Sequence, residues 1–357
     1  MCLFYNIAIP QDIYHILQSI FNIIQCQYLW ILVKIKYSAH STAHVLWYCY
    51  IVIKFKDMNK QEDIIMNNVL YYIWLAEGLS AGNPKGAKII SDFGSAKEFF
   101  EMGHDEIKAL PILTAAERDA LVQSAPEDFQ YVIDKCRQMN VRIVTIHDDE
   151  FPDKFRDIPA PPIALYVAGD ISGLDEGFNI AVVGTRKASA YSLRTAGNLS
   201  YELAKAGAVI ISGCAVGIDR MAHTGALQAK GRTVAFIGTG HDRDYPAGSM
   251  SFKREIVNAG GAVISEYPPE SKVSGHNFPV RNRLMAAIAS GVLVVEAPAK
   301  SGALITASIA EELGREVLCV PPADIYDARY DGVKPLIRGG ATAVMAAGDV
   351  WDAFEIV

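Results

Sequence analysis

The chain has 357 residues and carries 33 Lys and Arg against 40 Asp and Glu, so its net charge is −7 at pH 7. Its six cysteines form no Cys-x-x-Cys pair, which indicates neither a zinc site nor a disulfide framework and favours a reducing, cytoplasmic setting. Because phosphate contacts supply most of the affinity for nucleic acids, the acidic balance excludes a protein that is basic over its whole surface. Any nucleic-acid site must be a local basic patch.

Residues 1–57 differ in composition from the rest of the chain. They contain no Gly and no Glu and are rich in Ile, Tyr and Phe. The stretch 13–33 is long enough to span a bilayer, which takes about 20 residues, but it includes polar side chains such as Gln18 that are costly there. A membrane anchor and a signal peptide are alternatives. We favour a non-native or disordered apolar extension, with translation beginning at Met58 or Met66, and expect no association with a membrane.

Residues 66–140 are predicted to form a small helical domain. Apolar residues at helical spacing around Trp74 favour a first helix. Glycines between positions 78 and 86 then mark a turn. Later helices are expected over 95–102, 114–123 and 126–139.

The remainder, residues 141–357, alternates short apolar runs with segments of helix length. Buried parallel strands are continuous apolar runs. Their alternation with helices predicts an α/β protein with a doubly wound, mainly parallel sheet and helices on both faces. The predicted strands are Val141–Ile146, Leu165–Val167, Ile180–Val183, Val209–Ile211, Thr233–Ile237, Ala262–Ser265, Val292–Glu296 and Val317–Val320.

Three loops that follow predicted strands combine glycines with basic or hydroxyl residues. In a doubly wound sheet, ligands bind beyond the carboxyl ends of the strands, and free N–H groups at a helix start attract anions. Tight packing alone explains a single glycine turn, but three such turns at one edge predict a phosphate-binding groove. The candidates are Gly184, Arg186 and Lys187 in the first loop, Ser212, Gly213 and Gly217 in the second, and Ser301 and Gly302 in the third.

A fourth segment adds two arginines and an aromatic residue. Arginine makes bidentate contacts with phosphate, and an aromatic ring offers a stacking surface to an unpaired base. Alternatively, the aromatic residue belongs to the core and the arginines pair with Glu266 or Glu296 to hold the loop. The candidates in this segment are Phe278, Arg281, Asn282 and Arg283.

The chain shows no arrangement typical of an enzyme. It has no Walker A motif, and the stretch 238–240 is a bare Gly-x-Gly that gives only a weak dinucleotide signal. Asp219 and His223 fit the first turns of a helix better than a catalytic pair. We therefore expect no catalytic residue, no metal site and no cofactor.

Taken together, these motifs resemble the DNA-processing protein A family (DprA, also called Smf). The resemblance covers about 165–345, and residues 70–102 resemble the family's small helical domain of the SAM or helix-hairpin-helix kind. The motifs that carry it are Gly184-Thr185-Arg186, Ser212-Gly213-x-Ala215-x-Gly217-Ile218-Asp219, Tyr245-Pro246, Ser265-Glu266, Phe278-Pro279-x-Arg281-Asn282-Arg283, Val295-Glu296-Ala297 and Ser301-Gly302-x-Leu304-Ile305-Thr306-Ala307.

The resemblance implies an extended Rossmann-like domain over 141–357 that binds single-stranded DNA without catalysis. It further implies a cytoplasmic homodimer that protects incoming DNA and loads the RecA recombinase during natural transformation. The family's pocket for bases and phosphates carries over onto Arg186, the turn 212–217, Phe278, Arg281, Arg283 and Ser301-Gly302.

Two departures from the family pattern predict a weaker affinity for DNA. Gly275 stands where some members carry a Lys that assists DNA binding, and the chain leaves no room after residue 357 for the winged-helix domain that many members append. Two other functions remain as alternatives. One is an enzyme resembling nucleoside-monophosphate phosphoribohydrolases, in which Arg281 and Glu296 act as the catalytic pair, and the other is a nucleotide-sensing module.

Overall fold

The computed structural model describes residues 68–355. The extension predicted over 1–57 and the first two residues of the predicted helical domain lie outside the described residues. Residues 68–355 form one compact unit. Within 68–355, no helix is long and apolar enough to cross a membrane. No group of three or more His, Cys, Asp or Glu in the same range could hold a metal ion.

The described chain begins with a run of short α-helices. The capping residues explain where two of them start, because Ser95 Oγ accepts the Glu98 N–H and the Thr114 side chain accepts the Glu117 N–H. The predicted helices over 95–102 and 114–123 correspond to these two. The helices are α1 (68–79), α2 (Lys85–Phe93), α3 (Ala96–Glu101), α4 (His104–Ala109), α5 (Ala115–Gln123) and α6 (Gln130–Gln138).

The strands of the described chain form one mixed sheet in the order β1-β2-β6-β5-β4-β3-β7-β8-β9. Strands β3 to β9 run parallel to one another, β2 is antiparallel to β6, and β1 is antiparallel to β2. The predicted α/β class with a mainly parallel sheet is therefore confirmed. The strands are β1 (Arg142–Thr145), β2 (Ala164–Gly169), β3 (Asn179–Val183), β4 (Val209–Ser212), β5 (Thr233–Ile237), β6 (Ala262–Ser265), β7 (Gly291–Val294), β8 (Glu316–Cys319) and β9 (Thr342–Ala343).

Helices cover both faces of the sheet, as the alternation predicted. Ile180 and Val182 of β3 face the helices α7, α8 and α13, whereas Ala181 and Val183 face α10 and α11. Side chains alternate between the two faces of a strand. Because all five residues of β3 are buried, helices cover this strand on both faces. The helices of this part are α7 (Ala190–Lys205), α8 (Ile218–Gln228), α9 (Met250–Asn258), α10 (Asn277–Ile288), α11 (Gly302–Glu312), α12 (Val333–Arg338) and α13 (Ala347–Ala353).

The helical segment 68–138 shares a hydrophobic core with one face of the sheet. Trp74 and Phe99 are fully buried in the same cluster as Val144 of β1 and Leu165 of β2. The indole N–H of Trp74 donates to the carbonyl of Leu121 at 3.1 Å. The segment therefore packs on the sheet instead of standing apart from it.

The order of the strands creates a crevice beside β3. The chain passes from β3 through β4 and β5 to β6 in one direction and then returns to β7 on the other side of β3. The connections after β3 and β7 therefore lead to helices on opposite faces, and the crevice between their carboxyl ends is where doubly wound sheets bind ligands.

Candidate functional site

A groove of about 750 Å³ lies at the carboxyl edge of the parallel strands. It is called the carboxyl-edge groove below. Its lining comes from the loops after β3, β4, β5, β6 and β7 and from the first turns of α10 and α11. The structure thus brings together eight of the residues predicted from the sequence, which are Gly184, Arg186, Lys187, Phe278, Arg281, Asn282, Ser301 and Gly302.

Two glycines allow the β3 and β4 loops to pack directly against each other. Gly217 has φ 86°, and a Cβ on it would lie 2.4 Å from the carbonyl oxygen of Thr185. A Cβ on Gly184 would lie 2.5 Å from Ile218 in the first turn of α8. At Gly217 both the positive φ and the close approach require glycine, and at Gly184 the close approach requires it. Gly217 therefore shapes the groove from behind and does not line it.

Arg186, Tyr245 and Phe278 form a cluster on the groove wall, although they come from three different connections. The rings of Tyr245 and Phe278 are stacked, with centroids 5.3 Å apart and planes 28° from parallel. The guanidinium carbon of Arg186 lies 5.0 Å from the centroid of the Phe278 ring. Arg186 Nη1 also donates to the Tyr245 hydroxyl at 3.3 Å. The cluster combines an exposed cation with an aromatic surface, which suits a nucleotide.

Arg281 is the buried cation of the groove, with 4% of its surface exposed. Its Nη1 donates to the carbonyls of Gly213, at 2.7 Å, and Phe236, and its Nε donates to Asn282 Oδ1 at 3.2 Å. Nη2 donates no hydrogen bond within residues 68–355, so this nitrogen is the group that Arg281 offers to the groove. Burial lowers the pKa of Arg281.

Gly213 makes room for the charges beneath the groove. A Cβ on it would lie 2.4 Å from Arg281 Nη1 and 2.6 Å from Asp219 Oδ2. Asp219 is 7% exposed, and burial raises the pKa of its carboxyl group against the opposing effect of Arg281. Gly213 therefore serves the site through the space it leaves for Arg281.

The first turn of α11 closes the other end of the groove. Ser301 caps the helix by accepting the Ala303 N–H at 3.3 Å, and Asn282 Nδ2 donates to the carbonyl of Gly302 at 3.2 Å. Asn282 therefore joins α10 to α11. Lys300 is exposed beside this turn, so an anion here would meet the N-terminus of a helix and an ammonium group together.

Two of the predicted residues do not reach the groove through their side chains. Ser212 is fully buried, and its hydroxyl donates to the carbonyl of Val182 at 2.7 Å. Arg283 Nη2 forms a salt bridge of 2.7 Å with Glu266 Oε1, which also accepts the Gly82 N–H at 3.2 Å. Arg283 therefore ties α10 to the helical segment, which is the structural alternative that the sequence had left open.

The lining of the groove is locally basic on an acidic chain. Among the described residues that line it, Arg186, Lys187, Arg281 and Lys300 are cationic and Asp219 is acidic. Sequence reasoning had not chosen Tyr245 or Lys300. Both lie in loops that follow the carboxyl end of a strand. The rule that ligands bind beyond these ends would therefore have selected them as well.

Glu296 does not belong to the groove lining. It is fully buried, and its Oε2 accepts hydrogen bonds from the N–H of Ser189 at 3.0 Å and from the Ser189 hydroxyl at 2.6 Å. Arg281 points instead at the carbonyls beneath the groove. The arginine–glutamate pair of the glycosidase alternative is therefore not assembled at this surface.

Comparison with known proteins identifies the family. A family model described as DNA recombination-mediator protein A matches residues 142–355. The chain belongs to this family. The DNA processing protein DprA of Bacillus subtilis is 36% identical over 248 residues, which are 70% of this chain and 81% of the relative. Protein Smf of Synechocystis is 39% identical over 61% of this chain, which spans about half of that relative, or 55%.

Solved structures of two family members share this fold. The X-ray structure of DprA from Streptococcus pneumoniae superposes with a TM-score of 0.68 at 30% identity and covers 79% of this chain and 97% of the other. The DNA processing protein A of Helicobacter pylori gives a TM-score of 0.54 at 29% identity over 60% of this chain and 96% of the other. The Helicobacter structure is described for its single-stranded DNA binding mode. The predicted resemblance to the DprA/Smf family is thus confirmed.

Proposed function

We propose that this protein binds single-stranded DNA in the carboxyl-edge groove and performs no catalytic step there. The observation that carries the proposal is the cluster of Arg186, Tyr245 and Phe278 beside the free Nη2 of Arg281. Aromatic rings bind unpaired bases by stacking, and arginines bind the phosphates between them. The single-stranded DNA binding mode described for the Helicobacter pylori relative supports the proposal.

The geometry favours single strands over duplexes for a physical reason. In a duplex the bases are already stacked and paired, so a ring on the wall of a groove cannot reach their faces. The groove also holds few cations, which gives a duplex little electrostatic affinity in compensation.

The proposal is tested with labelled oligonucleotides, single-stranded beside duplex, across a salt series with the full chain. Single strands are expected to bind more tightly at every salt concentration. Phe278→Ala is expected to weaken binding by about 1–3 kcal/mol, or about 5- to 150-fold, with little change in the salt dependence. Arg338→Ala is the control for a substitution outside the groove. Arg338 is exposed at the end of α12, and this helix leads into the amino end of β9, away from the carboxyl edge. Equal affinity for duplex and single strand would overturn the proposal.

A separate assay addresses the enzymatic alternative. Release of a free base from nucleoside monophosphates, abolished by Glu296→Gln, would replace DNA binding with glycosidase chemistry. The burial of Glu296 away from the groove argues for the opposite result.

The proposal extends to a cytoplasmic homodimer that protects incoming DNA and loads RecA. The family description as a recombination mediator supports this role. Two grooves on one dimer would let a single strand engage both and gain avidity. Light scattering at micromolar concentration is expected to give twice the monomer mass, and the protein is expected to speed RecA assembly on single-stranded DNA. A monomer over that range, or an unchanged rate of RecA assembly, would remove this extension and leave DNA binding itself intact.

A further inference from the structure

The hydroxyl of Tyr245 accepts a hydrogen bond from an exposed cation of the groove, Arg186. Arg186 is exposed on the β3 loop. Its contacts in the described chain are the Nη1 bond to the Tyr245 hydroxyl, at 3.3 Å, and the approach to the Phe278 ring, at 5.0 Å. No carboxylate within residues 68–355 forms a salt bridge with it. The Tyr245 hydroxyl is therefore the directional contact that orients its guanidinium.

Tyr245 is well placed to hold this position, because its ring is fixed independently of Arg186. The ring is half-buried and stacks on Phe278. Phe278 in turn packs at the turn that follows β5, where a Cβ on Gly238 would lie 3.1 Å from its ring. The phenol thus presents its hydroxyl from a supported ring, and a charged side chain on a neighbouring loop is held beside the aromatic surface.

We propose that Tyr245 is a positioning residue for single-stranded DNA, which presets Arg186 beside the Phe278 ring so that phosphate and base are captured together. This inference rests on the proposed function of the groove. A flexible arginine loses rotamer freedom when it binds a phosphate, and an arginine that is already ordered loses less. Tyr245 therefore raises the affinity without adding a charge.

Tyr245→Phe is the decisive change, because it removes the hydroxyl and keeps the ring stacked on Phe278. Affinity for a single-stranded oligonucleotide is expected to fall by about 2- to 12-fold, which corresponds to ordering one long side chain at an interface. The salt dependence is expected to remain, because Arg186 still reaches its phosphate. Arg186→Ala, in contrast, is expected to reduce the slope of log K against log salt by about 0.7.

A double-mutant cycle separates positioning from a general effect on the fold. In the Arg186→Ala background, Tyr245→Phe is expected to change the affinity very little, because the hydroxyl has no guanidinium left to orient. Tyr201→Phe is the matched control, since Tyr201 is exposed on α7 and its hydroxyl has no hydrogen bond within residues 68–355. Urea unfolding of each variant checks that stability is unchanged.

The outcomes distinguish this inference from the proposed function. If the unmodified chain does not bind single strands, the proposed function fails. If it binds and Arg186→Ala weakens binding, but Tyr245→Phe binds like the unmodified chain, only the positioning role is overturned. Equal effects of Tyr245→Phe with and without Arg186 would also overturn it, because the hydroxyl would then act independently of the arginine.

Discussion

The two arginines of α10 have different roles, because they lie on different faces of the helix. Phe278, Arg281 and Asn282 are spaced i, i+3 and i+4, so they lie on one face of the helix and line the groove. Arg283 is two residues beyond Arg281, about 200° around the helix, and points at Glu266. Arg281 is likewise held in place by backbone carbonyls, so the groove presents one nitrogen of a fixed guanidinium.

Arg283→Ala is expected to lower stability and to leave DNA binding by the folded fraction unchanged. The substitution leaves the Glu266 carboxylate, 9% exposed, without its cation. Breaking a buried ion pair in this way costs about 3–5 kcal/mol. Urea unfolding measures the loss. Lys88→Ala is the control, because the Lys88–Asp92 pair has side chains 61% and 47% exposed, and such pairs contribute about 0–1 kcal/mol. A reduced salt slope for Arg283→Ala would mean that Arg283 contacts DNA after all.

The sequence could identify the site residues by position but not by direction. The rule that ligands bind at the carboxyl ends of strands selected the loops that contain Arg186, Gly213 and Ser301, and these loops do meet at the groove. Arg283 was chosen with Arg281 because both arginines could make bidentate contacts with phosphate, a criterion that does not include the direction of the side chain. In the structure this segment is helical from Asn277, and the helical period points the two arginines in different directions.

At the scale of elements, apolar runs located the strands and their order in the chain, but not all of the sheet. Strand β9 has only two residues, Thr342 and Ala343, which is too short for a recognisable apolar run of its own, so no strand was predicted there. The antiparallel pairing of β1 with β2 at the sheet edge depends on the direction of a long connector, which periodicity does not contain. The strand order reverses at β3, with β4 on one side and β7 on the other, and this reversal brings together the loops that follow β3 and β7.

Gly217→Ala is expected to disturb the junction of the β3 and β4 loops. The residue has φ 86° and ψ −129°, which side chains other than hydrogen avoid, and a Cβ would meet the Thr185 carbonyl. We expect the free energy of unfolding in urea to fall by about 1–3 kcal/mol, because a residue with a side chain is strained in this backbone conformation. Gly302→Ala is the control, because no atom lies within 4 Å of its Cβ position. Equal stability of the two variants would show that the loops can separate freely.

At the scale of the whole molecule, buried imidazoles make stability depend on pH. Thr233 Oγ1 donates to the Ile210 carbonyl and so accepts from His223 Nδ1, while Nε2 is buried with no partner within the described residues. Burial lowers the pKa of His223 to about 3 and the pKa of His241 to about 4. A protonated imidazole at His223 would be a buried cation without compensation. At His241 the hydrogen bond between Nε2 and the Tyr166 carbonyl, at 2.9 Å, opposes the effect of burial without cancelling it.

The two histidines are therefore expected to lower the free energy of unfolding as the pH is lowered from about 6.5 to 4.5, against an opposite contribution from Glu77, whose pKa is raised by burial to about 7. In this window the unfolded chain protonates both imidazoles and the folded chain neither, so the unfolded state binds more protons. Each histidine contributes a slope of up to about 1.4 kcal/mol per pH unit. Urea unfolding at several pH values measures it, and His223→Asn is expected to reduce the slope whereas His276→Asn, at an exposed position, is not. A slope that is the same in both variants would contradict the assignment to His223.

The net charge of −7 also has a consequence for the whole molecule, because DNA gains affinity only where the basic groove overcomes an acidic body. With four cations in the groove lining, the slope of log K against log salt for single strands is expected to be no steeper than about −2.8 per chain.

Gly275 offers a position at which a fifth cation can be added to the groove. It lines the groove, it is exposed, and nothing lies within 4 Å of a Cβ placed on it. Gly275→Lys is therefore expected to fold normally, to bind single strands more tightly and to steepen the slope by about 0.7. Gly275→Gln is the control for side-chain bulk and is expected to leave the slope unchanged. Tighter binding by Gly275→Lys without a steeper slope would show that the new ammonium group does not reach a phosphate, and that the strand does not pass this side of the groove.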